Sequence, residues 1–347
     1  MTPRGSSVII GLWPWNRLTI TINAGDANRK VERVKPTGEI VAVSGKRVVL
    51  TNLNKPMWIK EGITKGDMIQ YYASIAPEML KYSRDRPLML NRFPHGVDGG
   101  KSFVQKDWPH HPSWVKTVNV EAHGQVKKIV RHVVCNDEAT LVWLADMACV
   151  EINHFLSSGP DYEKHDLLLI DLDPHAPAGF EEAVEIGLTV HSALDHMNLR
   201  HLLKTSGHDG LHFLVPIVPK YDIEVIRRFA YLLGVLIEGL LPKIATTSRK
   251  ENQRVGKVYI DYYQNGLFRT IAAPYSLRPT PGARASFPLK PETLKKKRID
   301  PTQFNIRTVP DLVRKGRVVE FDFGDRQRLE PAFKELGVKP ESSTSVE

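Results

Sequence analysis

Two aspartates that follow a run of apolar residues are the first feature of this sequence that could do chemistry. Asp171 and Asp173 lie two positions apart at the end of the stretch 167–173, after four apolar residues. Because side chains alternate along a strand, both carboxylates point one way while Leu172 points into the core. Two convergent carboxylates at the end of a buried strand are costly without a cation, and hard oxygen ligands suit Mg²⁺ or Mn²⁺.

The aspartate pair alone leaves several interpretations open. Metal-dependent phosphatases and nucleotide-sugar transferases carry similar pairs. Two solvated acids can also end a strand without binding anything, since short polar side chains are common where a strand meets solvent. The motifs that follow Asp173 in the chain therefore decide what the pair does.

A polar turn bracketed by two glycines lies between two predicted strands. The stretch 204–212 contains Gly207 and Gly210, with Ser206 before the turn and His212 after it. Glycine lets backbone N–H groups approach a phosphate, and both flanking side chains can donate to phosphate oxygens. An ordinary hairpin with a hydrogen-bonded histidine would show the same pattern, so this motif alone favours neither reading.

Another predicted strand ends in a third carboxylate, Asp261. Three carboxylates meet the requirement of a two-cation site, which can clamp a nucleoside triphosphate, activate a 3′-hydroxyl and stabilise the departing pyrophosphate. Arg254 and Lys257 precede the strand and could neutralise phosphate charge. Arg278 follows the next predicted strand and offers a planar fork that suits phosphate, although a lone arginine is more commonly a surface residue.

The elements that carry these residues predict a mixed α/β core. In chain order they are a strand at 167–173, a helix at 180–200, strands at 202–206 and 211–217, a helix at 222–240, and strands at 258–261 and 270–273. Upstream, the spacing predicts a strand or hairpin at 40–51, a helix at 64–84 capped by Thr64, a long loop at 87–116 and a helix that runs from Asp137 through Ile152.

The composition is that of a globular protein with an anionic partner. The chain has 347 residues and a formal net charge of +9, and its sequence pI is about 9.4, which favours nucleic acid as the partner. Cys135 and Cys149 are too few for a disulfide framework and fit a reducing cytoplasm. No uninterrupted run of about 20 apolar residues is present, so we expect no membrane span, and the apolar stretch near the N-terminus is too short for a signal peptide.

Taken in order, these motifs resemble the archaeo-eukaryotic primase superfamily, and within it the bacterial branch formed by the polymerase domain of the ligase D end-joining proteins. The resemblance runs from about residue 48 to 289. Besides the three aspartates, the glycine turn and the segment 273–278, it rests on the stretches 51–55, 64–67, 92–97, 103–106, 139–143 and 261–265. We expect a stand-alone form, similar to the short-gap-filling primase-polymerase C group that works with ligase C.

The resemblance implies an α/β fold of the mixed α+β kind, with a primase-like catalytic core in which an RRM-like mixed sheet is flanked by helices. It divides the chain into an N-terminal arm of unknown role at 1–39, a primase-polymerase catalytic domain at 40–300, and a basic segment with a polar tail at 301–347. Within the catalytic domain, we expect a DNA-binding part at about 40–160 and a metal and nucleotide core at about 161–290.

The resemblance also assigns roles to individual residues. Asp171, Asp173 and Asp261 match the catalytic metal-binding triad. The residues that match nucleotide-binding positions are Ser206, His212, Arg254, Arg278 and Asn153. Asn52, Lys55 and Lys65 are expected to bind DNA, because they match a pocket for the 5′-phosphate at the downstream end of a gap. Phe103 matches an aromatic residue that packs on a base, and Lys106 is also expected to bind DNA.

The sequence departs from the family pattern at three positions. Asp209 stands where the family usually has a basic residue, and the adjacent His208 could compensate. Asn153 stands where a nucleotide-contacting histidine is usual, with His154 next to it, and Asn91 stands where some relatives have lysine. A further cluster of histidines, at positions 95, 110 and 111, could form a zinc site, but no cysteine supports one, and solvated or DNA-facing histidines are the simpler interpretation.

The first hypothesis is therefore a template-dependent primase-polymerase, a nucleotidyltransferase with a two-metal mechanism. The family prefers ribonucleotides and Mn²⁺, so we expect two Mn²⁺ (or Mg²⁺) ions and NTP or dNTP substrates here. We expect it to fill short gaps or act at ends with a 5′-phosphate during DNA repair. Its partners would be DNA, nucleoside triphosphates, an ATP-dependent DNA ligase and Ku, in the cytoplasm with the nucleoid and not at a membrane.

Two other hypotheses stay open from the sequence. The chain could be a DNA gap-binding or end-binding module with weak catalysis that recruits a ligase, and the unusual Asp209 is the residue that favours this. A metal phosphohydrolase built on the pair Asp171 and Asp173 is weaker, because it leaves Asp261, the two lysines and Arg278 without a role.

Overall fold

The structure is a computed structural model that describes residues 38–122, 128–295 and 299–339. The predicted N-terminal arm therefore lies almost wholly outside the described residues. The strands are Gly38–Val43 (β1), Lys46–Thr51 (β2), Pro56–Trp58 (β3), Ile63–Thr64 (β4), Leu88–Arg92 (β5), Phe103–Gln105 (β6), Thr117–Ala122 (β7), Lys128–Val133 (β8), Cys149–Phe155 (β9), Leu167–Pro174 (β10), Leu202–Thr205 (β11), Leu211–Pro216 (β12), Ala245–Thr246 (β13), Val258–Ile260 (β14), Thr270–Ala272 (β15) and Pro288–Leu289 (β16). The α-helices are Lys65–Ser83 (α1), Glu138–Asp146 (α2), Phe180–His196 (α3), Ile223–Leu240 (α4), Val309–Arg314 (α5) and Glu330–Glu335 (α6).

The largest sheet has six strands in the order β13-β14-β10-β12-β11-β16. The pairs along it are antiparallel except for β13 with β14, which is parallel. The first four residues of β10, 167–170, are almost completely buried, which accounts for their unbroken apolar run, because both faces of the strand are covered there. Helices α3 and α4 both contact β10, so the strand that carries the aspartate pair is packed against two helices as well as two neighbouring strands.

A second sheet has four strands in the order β15-β9-β5-β6. It presents Asn91 from β5, and Glu151 and Asn153 from β9, to a cleft that Asp171 and Asp173 line from the other side. Tyr72 of α1 joins this sheet to the loop after β15, because its hydroxyl donates to the Val150 carbonyl at 2.6 Å and accepts from a backbone N–H at 3.1 Å. The two sheets thus form the walls of one cleft.

Helix α1 begins as the sequence predicts. Thr64 Oγ1 accepts from the Asp67 N–H at 3.2 Å, and the Asp67 carboxylate accepts from the Thr64 N–H at 2.8 Å, which completes a capping box. The helix ends at Ser83, one residue before the predicted end. Its apolar face, which includes Met68 and Ile75, is buried in the core.

The region between α1 and β10 contains the main errors of the sequence-based prediction. The segment 87–116, expected to be a loop, contains strands β5 and β6, and the hairpin β7–β8 was not predicted. The helix expected to continue through Ile152 ends at Asp146, because Ala148 adopts a positive φ of 58° and the chain then extends into β9. The apolar residues of α2 and β9 are separated by only two residues and together keep a helical spacing. The sequence pattern therefore did not show the change from helix to strand.

The C-terminal part of the described chain packs on the core. Phe304 stacks on Phe287 with ring centroids 4.7 Å apart, and Phe333 of α6 contacts Phe229 of α4 edge-on at 5.1 Å.

The helix predicted at 180–200 is α3, which is shorter than expected and ends at His196. No helix within the described ranges has both the length and the apolar character needed to cross a bilayer.

Candidate active site

Four polar side chains form a row across four neighbouring strands of the large sheet. In the strand register, Asp171 of β10 lies opposite His212 of β12, and His212 lies opposite Lys204 of β11. On the other side of β10, Leu172 pairs with Ile260, and the Asp261 N–H donates to the Asp171 carbonyl at 2.9 Å. Since directly opposed residues project from the same face of a sheet, the row runs Asp261, Asp171, His212, Lys204.

The carboxylates of this row are clustered and partly withdrawn from water. The Asp171 side chain is 16% exposed, and burial raises its pKa to about 6, although Lys204 and Arg278 act in the opposite direction. Burial, followed by the charge of Asp171, raises the pKa of both Asp173 and Asp261. Three carboxylates with raised pKa values on one face of a sheet hold a proton or a cation more readily than isolated ones.

The ligand chemistry of the aspartates fits divalent cations. They supply oxygen ligands, which Mg²⁺ and Mn²⁺ prefer. Among the described residues, the one group of His, Cys, Asp or Glu donors that all lie within 4.8 Å of one another is elsewhere in the molecule. The three carboxylates are therefore not gathered into a single-ion cage within that distance.

Lys204 and His212 form a buried hydrogen-bonded pair beside the aspartates. Lys204 Nζ lies 2.6 Å from His212 Nδ1 and 2.6 Å from Ser286 Oγ, and His212 Nε2 lies 3.3 Å from Asp171 Oδ1. Burial, followed by the charge of Lys204, holds the pKa of His212 well below its usual value. An ionised Asp171 carboxylate beside Nε2 can only accept, so the assignment that satisfies both contacts puts the ring proton on Nε2, which faces the cleft, and leaves Nδ1 to accept from Lys204.

The glycine turn places Ser206 and Arg278 at the same end of the cleft. Ser206 Oγ accepts from the backbone N–H groups of His208 and Gly210, both at 3.1 Å, and its own O–H is left to donate. Gly207 has a positive φ of 80°, and a Cβ there would lie 2.4 Å from Arg278 Cγ. Glycine is therefore required for the turn and for the close approach of Arg278.

The Arg278 guanidinium makes few hydrogen bonds within the described residues. Its Nη1 donates to the Ser206 carbonyl at 3.4 Å, and Glu151 Oε2 lies 3.5 Å from its Nε. That Nε is buried and makes no hydrogen bond within the described residues. A guanidinium with donors beyond these contacts, in the same cleft as Ser206 and His212, suits the binding of phosphate oxygens.

The other two residues expected to bind the nucleotide, Arg254 and Asn153, have different surroundings. Arg254 lies over the Tyr259 ring at 3.5 Å and donates from Nε to the Ser248 carbonyl at 2.8 Å. Asn153 lines the cleft and donates to Glu151 Oε1 at 3.0 Å. The adjacent His154 is buried on the other face of β9, where burial lowers its pKa to about 3, so it cannot take the place of a histidine at position 153.

Asp209 is paired with a neighbouring arginine. Its Oδ1 lies 2.9 Å from Arg284 Nη1, at the outer side of the glycine turn. The pair explains how an acid is accommodated at a position where a basic residue was expected. His208, also exposed, lines the cleft beside it.

The residues expected to hold a 5′-phosphate are brought together by the backbone. The Lys55 N–H donates to the Asn52 carbonyl at 2.9 Å, and the Lys65 N–H donates to the Lys55 carbonyl at 2.8 Å. Their side chains differ, because Lys65 is buried in an ion pair with Asp146 at 2.7 Å. Lys55 is half-buried and donates to the Pro94 carbonyl, while Asn52 is exposed.

Phe103 and Lys106 are exposed residues near the mouth of the cleft. The Arg92 guanidinium lies 5.2 Å from the Phe103 ring, which holds the aromatic face at the edge of the second sheet. Val104, next to Phe103, lines the cleft directly. The histidines at positions 95, 110 and 111 form no metal-ligand group in the described part of the chain.

Sequence reasoning missed Lys204 and Glu151 as members of this site. Lys204 lies two residues before Ser206, and strand alternation alone would have predicted that it shares a face with it. Glu151 could not be found in that way, because the residues around it were assigned to a helix. Glu151 lines the cleft, which has a volume of about 400 Å³, and Lys204 lies buried behind it in contact with His212.

Comparison with known proteins gives consistent matches. The model of the LigD primase-polymerase domain matches residues 64–319. A bifunctional non-homologous end joining protein LigD from Bacillus subtilis is 29% identical over 287 residues, which cover 82% of this chain and 45% of the relative. A multifunctional LigD protein from Mycolicibacterium smegmatis is 29% identical over 234 residues, which cover 67% of this chain and 30% of the relative. The chain thus spans less than half the length of these relatives.

A solved structure matches over a similar range. The polymerase domain from Mycobacterium tuberculosis Ligase D, in complex with DNA, superposes with a TM-score of 0.73 at 27% sequence identity. The match covers 81% of this chain and 99% of that domain. The resemblance and the mixed α/β fold class expected from the sequence are confirmed.

Proposed function

Since the chain belongs to the LigD primase-polymerase family, whose members are nucleotidyltransferases, we propose that it adds nucleotides to a DNA 3′ end under the direction of a template. The substrate is a short gap or a broken end with a downstream 5′-phosphate, and the task is gap filling or non-homologous end joining. The observation that carries this is that one cleft is lined by Asp171, Asp173, Ser206 and Arg278. Asp261 lies beside them, with its N–H bonded to the Asp171 carbonyl.

The residues of the cleft divide the work of nucleotide addition. Asp171, Asp173 and Asp261 would hold two divalent cations, which when bound lower the pKa of the primer hydroxyl and offset the charge of the triphosphate. Ser206 Oγ–H, His212 Nε2–H and the Arg278 guanidinium donate to triphosphate oxygens. These donors are held by the sheet and the turn before substrate arrives, so little order is lost when the charge of the transition state develops.

Arg254 and Asn153 complete the nucleotide site in this proposal. Arg254 stands on the Tyr259 ring next to β14, where it adds positive charge on the side of Asp261. Asn153 faces the same cleft from the second sheet, and it contacts the sugar of the incoming nucleotide. Selection of ribonucleotides and a preference for Mn²⁺ over Mg²⁺ are part of the proposal and follow from the family.

The DNA side of the proposal rests on Lys55, Asn52 and Phe103. Lys55 exchanges its hydrogen bond to the Pro94 carbonyl for one to the 5′-phosphate. Lys65 stays paired with Asp146 and stabilises the segment that carries Asn52 and Lys55. Phe103 offers an exposed ring on which a base can stack, and Lys106 lies beside it to contact the DNA backbone. An ATP-dependent DNA ligase would then seal the product, with Ku at broken ends, in the cytoplasm where chromosomal DNA lies.

The deciding experiment is nucleotide incorporation on a duplex with a one- to three-nucleotide gap and a 5′-phosphate. We expect templated addition with Mn²⁺, ribonucleotides used before deoxyribonucleotides, and loss of addition in Asp171→Ala. Binding of the gap without any incorporation by the natural sequence would overturn the proposal and favour a recruitment module. Incorporation by Asp171→Ala at the natural rate would remove the aspartates from the mechanism.

A further inference from the structure

A cluster of two histidines and an aspartate lies at the corner between α3 and β11, apart from the cleft. His191 and Asp195 are four residues apart on α3 and therefore lie on the same face of the helix. The chain leaves α3 at His196 and returns as β11, whose preceding residue is His201. One donor atom from each of the three residues lies within 4.8 Å of the others.

The hydrogen bonds of the cluster determine which ring nitrogens are free to bind. His201 Nδ1 lies 2.9 Å from the Leu199 carbonyl, to which it must donate. The lone pair of His201 is therefore on Nε2, which lies 3.0 Å from His191 Nδ1. A backbone carbonyl that fixes a ring in this way is the usual outer partner of a metal-bound histidine.

The hydrogen bonds of the three residues are not satisfied when both histidines are neutral. If neutral His191 donates from Nδ1 to His201, its Nε2 presents a lone pair to the Asp195 carboxylate, which lies 3.5 Å away. Two acceptors would then face each other without a proton between them. A cation among the three groups, either a proton or a metal ion, resolves this conflict.

We infer that His191, Asp195 and His201 form a binding site for a single zinc-class divalent cation. Two imidazoles and one carboxylate suit Zn²⁺ and its neighbours in the transition series better than Mg²⁺. The Asp195 side chain is 60% exposed, so the fourth coordination position is open to water. The site is independent of the proposed polymerase chemistry, because β11 is four residues long and separates it from Ser206 by roughly 13 Å.

Such an ion would join the last turn of α3 to the first residue of β11. The opposite end of β11 leads directly into the glycine turn that presents Ser206. The ion would therefore support the far end of the strand that carries Lys204, without touching the nucleotide. This makes it a structural site, whose occupancy is expected to show in stability before it shows in catalysis.

The test is calorimetric titration of the untagged, full-length chain with Zn²⁺. The background is the variant D171N/D261N, in which the oxygen-rich catalytic site is weakened. We expect one tight equivalent, accompanied by an upward shift of the Tm of about 5 °C at a hundredfold excess over Kd. Co²⁺ in place of Zn²⁺ should give visible absorption bands that report histidine ligation.

The variants H191Q and H201Q should each weaken the tight equivalent by at least about tenfold. D195N, at a largely exposed position, provides a second variant that is not expected to disturb folding. H196Q is the matched control, because His196 is an exposed histidine at the end of the same helix. No tight equivalent, or tight binding that survives H191Q and D195N, or equal losses in H196Q, would overturn the inference.

Discussion

Lys204 Nζ and His212 Nδ1 lie 2.6 Å apart at the centre of a buried hydrogen-bonded chain that ends at Asp171. Burial, followed by the charge of Arg278, holds the pKa of Lys204 well below its usual value. The lysine thus acts on the site through His212, because its donation to Nδ1 fixes the ring proton on the nitrogen that faces the cleft.

Replacement of Lys204 by methionine should lower kcat/KM for nucleotide addition by about tenfold to a hundredfold. The methionine fills similar volume but cannot donate to His212, so the ring is free to take the other tautomer. Steady-state kinetics on a gapped duplex, together with a thermal melt to show that the variant folds, measure the effect. An unchanged kcat/KM in a folded protein would contradict this role.

Replacement of Gly207 by alanine should raise the KM for nucleotide by about tenfold or more. The new Cβ would lie 2.4 Å from Arg278 Cγ, so the guanidinium must move away from the triphosphate position. Gly282→Ala is the matched control, because Gly282 has a positive φ of 76° with nothing within 4 Å of its Cβ position. The free energy of unfolding should fall by about 1 kcal/mol in both variants, but G282A should keep the KM of the natural sequence. Equal KM values in the two variants would show that the turn does not position Arg278.

Replacement of Lys55 by alanine should remove the advantage that a 5′-phosphate gives to gap filling. The comparison is between gapped duplexes with and without the phosphate, at several salt concentrations. The natural sequence should prefer the phosphorylated substrate and lose that preference as salt rises. If K55A retains the full preference, the phosphate is bound elsewhere.

The variant Lys65→Met tests whether Lys65 stabilises the fold through Asp146 or contacts the 5′-phosphate directly. It leaves Asp146 without its buried partner, so the free energy of unfolding should fall by about 3 kcal/mol. Because Lys65 is engaged with Asp146, the phosphate preference of the folded fraction should be kept. Loss of the preference with unchanged stability would place Lys65 on the phosphate instead.

Asp166 should make the fold sensitive to acid. Burial alone would raise its pKa, but the charge and hydrogen bonds of Arg86 hold the pKa below its usual value. The ionised form is therefore favoured in the fold. The stabilisation is present above the usual pKa of Asp, and it is lost as pH falls through the lower pKa of the folded state.

Urea unfolding of Asp166→Asn measures that stabilisation. We expect a loss of about 3 to 5 kcal/mol near pH 7, because Arg86 is left buried and unpaired, and a difference from the natural sequence that narrows as pH falls below about 4. Asp311→Asn, which breaks an exposed pair with Arg314, should cost less than about 1 kcal/mol. A pH-independent difference for D166N would indicate that packing, and not charge, is responsible.

The aspartate strand could be predicted because its signal is local. Four apolar residues followed by alternating acids describe a buried strand that ends in a cleft, and β10 runs from Leu167 to Pro174. The capping box at Thr64 is local in the same sense, since both of its hydrogen bonds close within four residues.

The second wall of the cleft could not be predicted because its signal is tertiary. Strand β9 follows a helix after only two residues and depends on pairing with β5 and β15. Glu151 becomes a site residue only through that pairing, which places it 3.5 Å from Arg278. The partners of Lys65 and Asp209 likewise come from 81 and 75 positions away in the chain, beyond the reach of any spacing rule.

The segment that follows β15 touches both sheets, and this has a consequence for substrate entry. Ser276 Oγ accepts from the Ile152 N–H of β9 at 2.8 Å, while Arg278, two residues later, donates to the Ser206 carbonyl beside β11. The distance between the cleft walls is thus set by a few adjacent residues. Any widening for a template base pair must lengthen these bonds, so amide exchange at Ile152 should act as a gauge of how far the cleft opens.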